Sequence, residues 1–342
     1  MSTILINGIS TPLGAAVGEA LGARPAVRLL GVASHLPALP YGQAELLTAQ
    51  LSGQQLCTLL RAEAVDTVVH LDVIGDDHSP ASRETAVRRN VLGTMEVLGA
   101  CAAAGVRRVV VRSHALVYGA QPGNPALIEE HWPVAHDGIS GIIRDYAEVD
   151  SFVSEFAHRQ PEMLLLTLRC APLSSGTFAR YVRQPTPRTV FGFDPRVQLL
   201  ALADAVSAFV AAVEAQQGGV YNIAADPLTL SQAIRLAGHQ PLPVPEPLFG
   251  LSSFLGGPWT LGDFPFDRGF LKYSCVVDTT RARSALGWQP TVASADALAL
   301  ASDGAGPGDE LARAEMALNA FLQKKSGLKI QDSEGGVHRT PL

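Results

Sequence analysis

The feature that most constrains this chain is a series of short apolar runs separated by stretches of helical spacing. Thr3–Ile6, Val27–Val32, Thr67–Leu71, Arg107–Val111 and Met163–Leu168 read as strands. A strand that is apolar on both faces must be covered on both faces. Alternation of such strands with helices therefore predicts an α/β fold around a parallel sheet. Helices are expected near Gln54–Glu63, over Arg83–Ala104 and over about 142–158. In the second of these, Val87, Val91, Met95, Leu98 and Ala102 form one stripe, and Gly105 suits the C-terminal cap. Covered parallel sheets bind ligands beyond the carboxyl ends of their strands. The positions to inspect are those just after Ile6, Val32, Leu71, Val111 and Leu168.

Beyond residue 170 the pattern loosens. Val197–Ala215 reads as a strand and a helix, and Gly219–Ala224 as a further strand. Gln240–Asp267 is rich in Pro, Gly and aromatics, and 310–325 has helical spacing ahead of a polar tail expected to be disordered. With 342 residues, 47% of them hydrophobic and 17% charged, the chain can bury a large core. A net charge of −6 without a Lys/Arg cluster argues against nucleic-acid binding. No apolar run reaches the length of a membrane span, and the first residues do not read as a signal peptide, so a cytoplasmic location is expected. The four cysteines, Cys57, Cys101, Cys170 and Cys275, show neither metal-ligand spacing nor a disulfide framework.

Six short motifs occur in a recognisable order. They are Asn7-Gly8-Ile9-Ser10-Thr11-Pro12-Leu13-Gly14, Val68-Val69-His70-Leu71, Asn90-Val91-Leu92-Gly93-Thr94, Arg107–Val111 followed by Val117-Tyr118-Gly119, Arg169, and Asp278–Arg283 with Leu286-Gly287-Trp288. Together they resemble the extended short-chain dehydrogenase/reductase family, the NAD-dependent epimerase/dehydratase group, over roughly residues 1–295. The resemblance implies a Rossmann-like, doubly wound parallel sheet with a smaller C-terminal substrate-binding domain. Residues 1–170 would form the dinucleotide-binding domain, with 196–224 returning to the sheet. Residues 171–195 and 225–300 would form the substrate domain, and 301–342 a helix and tail. It implies NAD or NADP as cofactor, with Gly8, Ser10, Leu13, Gly14, Leu71 and Asn90 as candidate contacts, and no metal. A homodimer built on the helices at 83–104 and 142–158 is a further expectation, although burial of the same stripe against the sheet would produce the same pattern.

The family's chemistry uses a Ser/Thr and a Tyr-x-x-x-Lys pair. Here those three positions hold His114, Ile142 and Tyr146. A reading of Tyr146-x-x-x-Asp150 restores a tyrosine but supplies no lysine and breaks the Ala147-Glu148 register. Thr11 stands at the middle glycine of the turn, and Pro12 brings no N–H to a phosphate. Ser10 is a candidate cap for the first helix. The second strand ends at Ala33-Ser34-His35, with neither the acid nor the arginine expected beside the adenosine ribose. Gln50 stands where an acid near the adenine is expected. Asp72 places a carboxylate where a dinucleotide would lie, repulsive unless paired.

These departures lead to the expectation of a family member that has lost the Ser-Tyr-Lys chemistry and binds an apolar small molecule or a protein partner. The apolar ligand is read from Pro241–Phe266, which has many aromatics and no Lys or Arg. The alternatives are an active NAD(P)-dependent oxidoreductase or epimerase with a relocated acid/base, His114 and Tyr146, or a structural subunit of a hetero-oligomer. His70 is expected to be a hydrogen-bonded core residue, and Asn90 and Arg169 to be structural.

Overall fold

The computed structural model describes residues 2–35, 40–75, 82–248 and 264–300. Its centre is a parallel sheet of seven strands in the order β3-β2-β1-β4-β5-β6-β9. The strands are β1 (Ser2–Asn7), β2 (Val27–Ala33), β3 (Glu45–Thr48), β4 (Thr67–His70), β5 (Arg108–His114), β6 (Leu164–Cys170) and, after an excursion, β9 (Gly219–Ile223). The expected strands are therefore present. The sequence did not signal β3, whose alternating Glu45-Leu46-Leu47-Thr48 is short and mostly exposed at the sheet edge.

Alternating side chains from each strand feed two cores. Ile4 and Ile6 of β1, Val110 of β5 and Leu166 and Leu168 of β6 join one, with the helices α1 (Pro12–Gly22) and α7 (Leu202–Glu214). Leu5, Val109, Val111 and Leu165 join the other, with α2 (Gly53–Ala62) and α4 (Gly93–Ala104). The stripe from Val87 to Ala102 packs into this second core.

The helix expected over 83–104 is interrupted. α3 (Arg83–Val87) passes through a π-helical turn, Arg88–Leu92, before α4 begins. The turn's extra residue brings Asn90 under the loop after β4. Its Oδ1 accepts from the Ile74 N–H at 2.7 Å, and its Nδ2 donates to the Ile74 carbonyl at 3.1 Å. α5 (Gly141–Arg159) follows the long loop after β5.

The excursion between β6 and β9 begins with α6 (Thr177–Val182) and β7 (Arg188–Val190), then β8 (Arg196–Val197). After β9 come β10 (Leu228–Thr229), α8 (Leu230–Leu236), β11 (Leu242–Val244) and α9 (Ser294–Leu300). β8 pairs with β10 and β7 with β11, and a third core of Phe178, Tyr181, Val190, Leu199, Ile234 and Leu271 lies between them. The helical spacing at 310–325 and most of the Pro/Gly-rich stretch lie outside the described residues. Among the described residues no helix is long and apolar enough to cross a membrane.

Candidate functional site

The strand order reverses between β1 and β4, and the turn after β1 opens there. Gly8 has φ +95°, and a Cβ on it would lie 2.4 Å from the Asp72 nitrogen. That approach leaves no room for a side chain, so the loops after β1 and β4 meet backbone to backbone. Gly14 is held as tightly: a Cβ there would come within 2.1 Å of the Gly8 carbonyl oxygen. Leu71 is fully buried beside them, its N–H donating to the Asn7 carbonyl at 2.8 Å.

Thr11, rather than Ser10, caps α1. Its Oγ1 donates to the Gly8 carbonyl at 2.9 Å and accepts from the Gly14 N–H at 3.0 Å. The Thr11 side chain is thereby drawn into the turn and buried, instead of projecting where a phosphate would pass. This corrects the expected cap at Ser10, and it keeps the side chain that stands at the middle glycine out of the phosphate's path. Pro12 occupies the first helical position, where a fixed φ suits the helix and a missing N–H costs it nothing.

Three donors remain at this end of α1. The N–H groups of Ser10 and Leu13 make no backbone hydrogen bond, and the Ser10 Oγ is shielded from solvent without a hydrogen-bond partner among the described residues. A helix N-terminus with such donors suits an anion. Asp72 does not oppose one, because Arg89 from the π-helical turn pairs with it, Nε to Oδ1 at 2.8 Å. The repulsion expected of Asp72 is thus neutralised within the chain. The turn therefore fits the diphosphate of a dinucleotide, with Ser10 supplying a hydroxyl near the N–H that Pro12 lacks. Ala33 ends β2 buried beside the turn, while Ser34 and His35 stand exposed after it, Ser34 Oγ 3.1 Å from His35 Nδ1. Gln50 is exposed.

At the carboxyl end of β5 the structure brings together two of the three catalytic-position residues. The His114 and Tyr146 rings are 5.7 Å apart, and both residues are buried. The Leu116 N–H donates to His114 Nδ1 at 3.1 Å, so a neutral His114 carries its proton on Nε2. Ile142, one turn before Tyr146 on α5, packs half-buried against the main core. Ser113 and Asp150 are turned to other work. Ser113 donates to Asp150 at 2.7 Å, Arg169 donates to Asp150 through Nε at 2.9 Å and to the Tyr118 hydroxyl at 2.6 Å, and Tyr118 donates to Asn222 at 2.8 Å. This buried chain ties α5, β5, β6 and β9 together. Burial pushes the Tyr118 phenol up to about 12, against the opposing pull of Arg169. The commitment of Asp150 to Arg169 supports the Ile142/Tyr146 register.

A cavity opens beside His114. It is lined on one side by Ala115, Leu116 and Cys275, and on another by Phe178, Phe266 and Phe270. Phe266 meets the His114 ring edge-on at 6.0 Å and stacks on Phe178 at 5.9 Å. Cys275 is inert there: burial raises its thiol to about 12. Arg196 and Gln198, on and just after β8, complete the lining, and the sequence reading missed both. A lone arginine before a predicted strand carries no signal; only the return of that strand to the mouth of the cavity gives it meaning. Among the described residues no group of His, Cys, Asp or Glu is placed to hold a metal ion.

Residues 4–138 match the model of the NAD dependent epimerase/dehydratase family. An uncharacterised protein of Mycobacterium tuberculosis is 33% identical over 310 residues, covering 84% of this chain and 80% of that one. The chain belongs to the NAD-dependent epimerase/dehydratase family. A further relative in sequence, the 3-diazoavenalumate denitrifying reductase of a Streptomyces species, is 29% identical over 266 residues, 70% of this chain and 81% of that one. Among solved structures, the UDP-glucose 4-epimerase of Thermotoga maritima with UDP-glucose aligns with a TM-score of 0.68 at 18% identity, over 88% of this chain and 97% of its own. The Bordetella bronchiseptica enzyme WbmG in complex with NAD aligns at 0.65 and 16%, over 90% and 96%. At those identities the structural likeness speaks for the extended, Rossmann-like family fold.

Proposed function

We propose that the chain is a nicotinamide-dependent oxidoreductase in which His114 and Tyr146 stand in for the family's serine, tyrosine and lysine. The observation that carries this reading is the buried pairing of the two rings at the end of β5, beside an apolar cavity. Support comes from the turn at Gly8–Gly14, whose threonine is folded inward and whose neighbouring carboxylate is paired. The relative named as a reductase points the same way.

The cofactor, bound across the switch point, would supply or accept hydride. The Ser10 hydroxyl and the Ser10 and Leu13 N–H groups would hold its diphosphate. Leu116 fixes the His114 tautomer so that Nε2–H can donate a hydrogen bond that polarises a reacting oxygen or nitrogen, while the proton that accompanies hydride would come from the Tyr146 phenol. Tyr146 packs against the imidazole and limits its rotation. Phe266 closes the other side and keeps water from the ring.

Titration with NADH and NADPH, read by fluorescence, is expected to show binding at micromolar to millimolar concentration. With a panel of aromatic carbonyl compounds, His114→Ala is expected to lower cofactor oxidation by about 10²–10³-fold while cofactor binding persists. Absence of binding at millimolar NADH and NADPH would overturn the proposal. The reading without chemistry would then take its place: a family scaffold that binds an apolar molecule or a protein partner. Ile142 at the tyrosine position and Pro12 in the turn are the observations that favour it.

A further inference from the structure

We infer that Arg89 binds the diphosphate of the cofactor directly, beyond neutralising Asp72. This rests on the reading that a dinucleotide lies along the Gly8–Gly14 turn, and it adds a cationic side chain to that turn. The loops after β1 and β4 touch at Gly8 and Asp72: a Cβ on Gly8 would lie 2.4 Å from the Asp72 nitrogen and 2.7 Å from its Cα. Whatever Asp72 holds is therefore held beside the turn. It holds Arg89, through Nε at 2.8 Å and through Nη2, both donating to Oδ1. Arg89 belongs to the π-helical turn Arg88–Leu92, and its neighbour Asn90 grips the Ile74 backbone on the same loop through two hydrogen bonds. These contacts anchor the π-helical turn to the loop after β4, and such turns recur at functional sites. The guanidinium is thus fixed in place while 27% of the Arg89 side chain stays exposed.

The turn itself offers only neutral donors. Neither Gly8–Gly14 nor the Ala33-Ser34-His35 end of β2 carries a Lys or Arg, and Pro12 withholds one N–H. A diphosphate carries negative charge on each phosphate, which the Ser10 hydroxyl and the free N–H groups do not balance. Arg89 can balance it. Both of its bonds to Asp72 use the Nε–Nη2 edge, so Nη1 makes no hydrogen bond among the described residues and keeps its donors. A planar guanidinium held along one edge by a carboxylate is already oriented, and its other side can donate to phosphate oxygens with little further loss of rotamer freedom. Asp72 is then the positioning residue for Arg89. Removing Arg89 would have two effects: the donor is lost, and the Asp72 carboxylate is left unpaired beside the diphosphate.

ADP, NADH and NADPH serve as probes, titrated calorimetrically against wild type, Arg89→Met, Arg89→Lys, Asp72→Asn and the double variant Asp72→Asn/Arg89→Met. Arg89→Met is expected to weaken all three by about tenfold or more, the size of a lost hydrogen bond to a charged group. Arg89→Lys keeps the charge and should recover part of that loss, which a collapse of the π-helical turn would not allow. Asp72→Asn should bind as tightly as wild type or several-fold more tightly. The double variant separates the two effects, because without the carboxylate a residue that only neutralised Asp72 would no longer be missed. Its affinity is expected to stay about tenfold or more below that of Asp72→Asn. Equal affinity of those two proteins would overturn the assignment, and so would a loss confined to NADPH, which would put Arg89 at the ribose phosphate instead. ADP distinguishes this from the oxidoreductase reading. A wild type that binds ADP through Arg89 but neither NADH nor NADPH removes that reading and upholds the anion site; a wild type that binds none of the three removes both.

Discussion

At the residue scale, His70 shows what a buried strand does to a titratable ring. Nδ1 lies 3.1 Å from the Asn7 amide and Nε2 2.9 Å from the Thr94 hydroxyl, which itself bonds the Asn90 carbonyl. The side chain is thus a hydrogen-bonded part of the core, as its place in an apolar run suggested. Burial lowers its pKa from 6.5 to about 4, with Asp72 pulling up and Arg89 pushing down. The unfolded ring gains its proton as pH falls through its ordinary value, whereas the folded ring does so only near 4. The neutral folded form is therefore fully favoured above about 6.5, and stability drains away between there and 4 by on the order of 3 kcal/mol. Urea melts at a series of pH values check this. The wild type should lose stability over that window, and the difference between it and His70→Gln should shrink as pH falls. A difference independent of pH would refute the assignment.

At the scale of elements, α1 decides how the turn treats a phosphate. Its cap is internal, Thr11 to Gly14, so the helix is finished without any ligand. The deficit is the single N–H that Pro12 removes. Pro12→Ala restores that N–H at a position with room for it, because a helix accepts alanine at its first residue. NADPH affinity is expected to rise several-fold, up to about tenfold, the strength of one hydrogen bond to a charged group. Thermal stability should change little. The measurement is a calorimetric titration of both proteins, and unchanged or weaker binding by Pro12→Ala would show that the diphosphate lies elsewhere. The sequence made proline's missing donor plain. It did not show that Thr11 turns inward or that Arg89 answers Asp72, because both depend on where a side chain points once the loop and the π-helical turn are formed.

At the scale of the whole molecule, the two parts of the chain share one structure. β9 returns from the excursion to pair with β6, and α7 packs with α1 in the main core. Trp288 closes the arrangement. It is fully buried, and its Nε1 donates to the Asp204 carbonyl at 3.1 Å and to Ser207 at 2.9 Å on α7. Asp204 in turn accepts from the Thr291 and Val292 N–H groups at 2.9 and 3.0 Å. The sheet and the C-terminal part should consequently unfold together. Far-ultraviolet circular dichroism and tryptophan fluorescence are expected to give one coincident urea transition. Two separated transitions would mean that the parts are held less tightly than these contacts imply.

The sequence by itself determined the alternation of most strands and helices along the chain, the glycine turn and the family, because each depends on local periodicity or on residues adjacent in the chain. Gly8 and Gly14 were legible since the loss of a side chain at a tight turn has one physical meaning. Only the tertiary structure decided what the site can do. His114 and Tyr146 are 32 positions apart and meet through the packing of α5 on β5. Arg89 reaches Asp72 through a π-helical turn that the spacing did not announce, and Arg196 reaches the aromatic cavity on a short strand of the excursion between β6 and β9. Charges and rings act over a few ångströms, and which of them share that distance is fixed by the packing of distant segments, a property no single stretch of sequence carries.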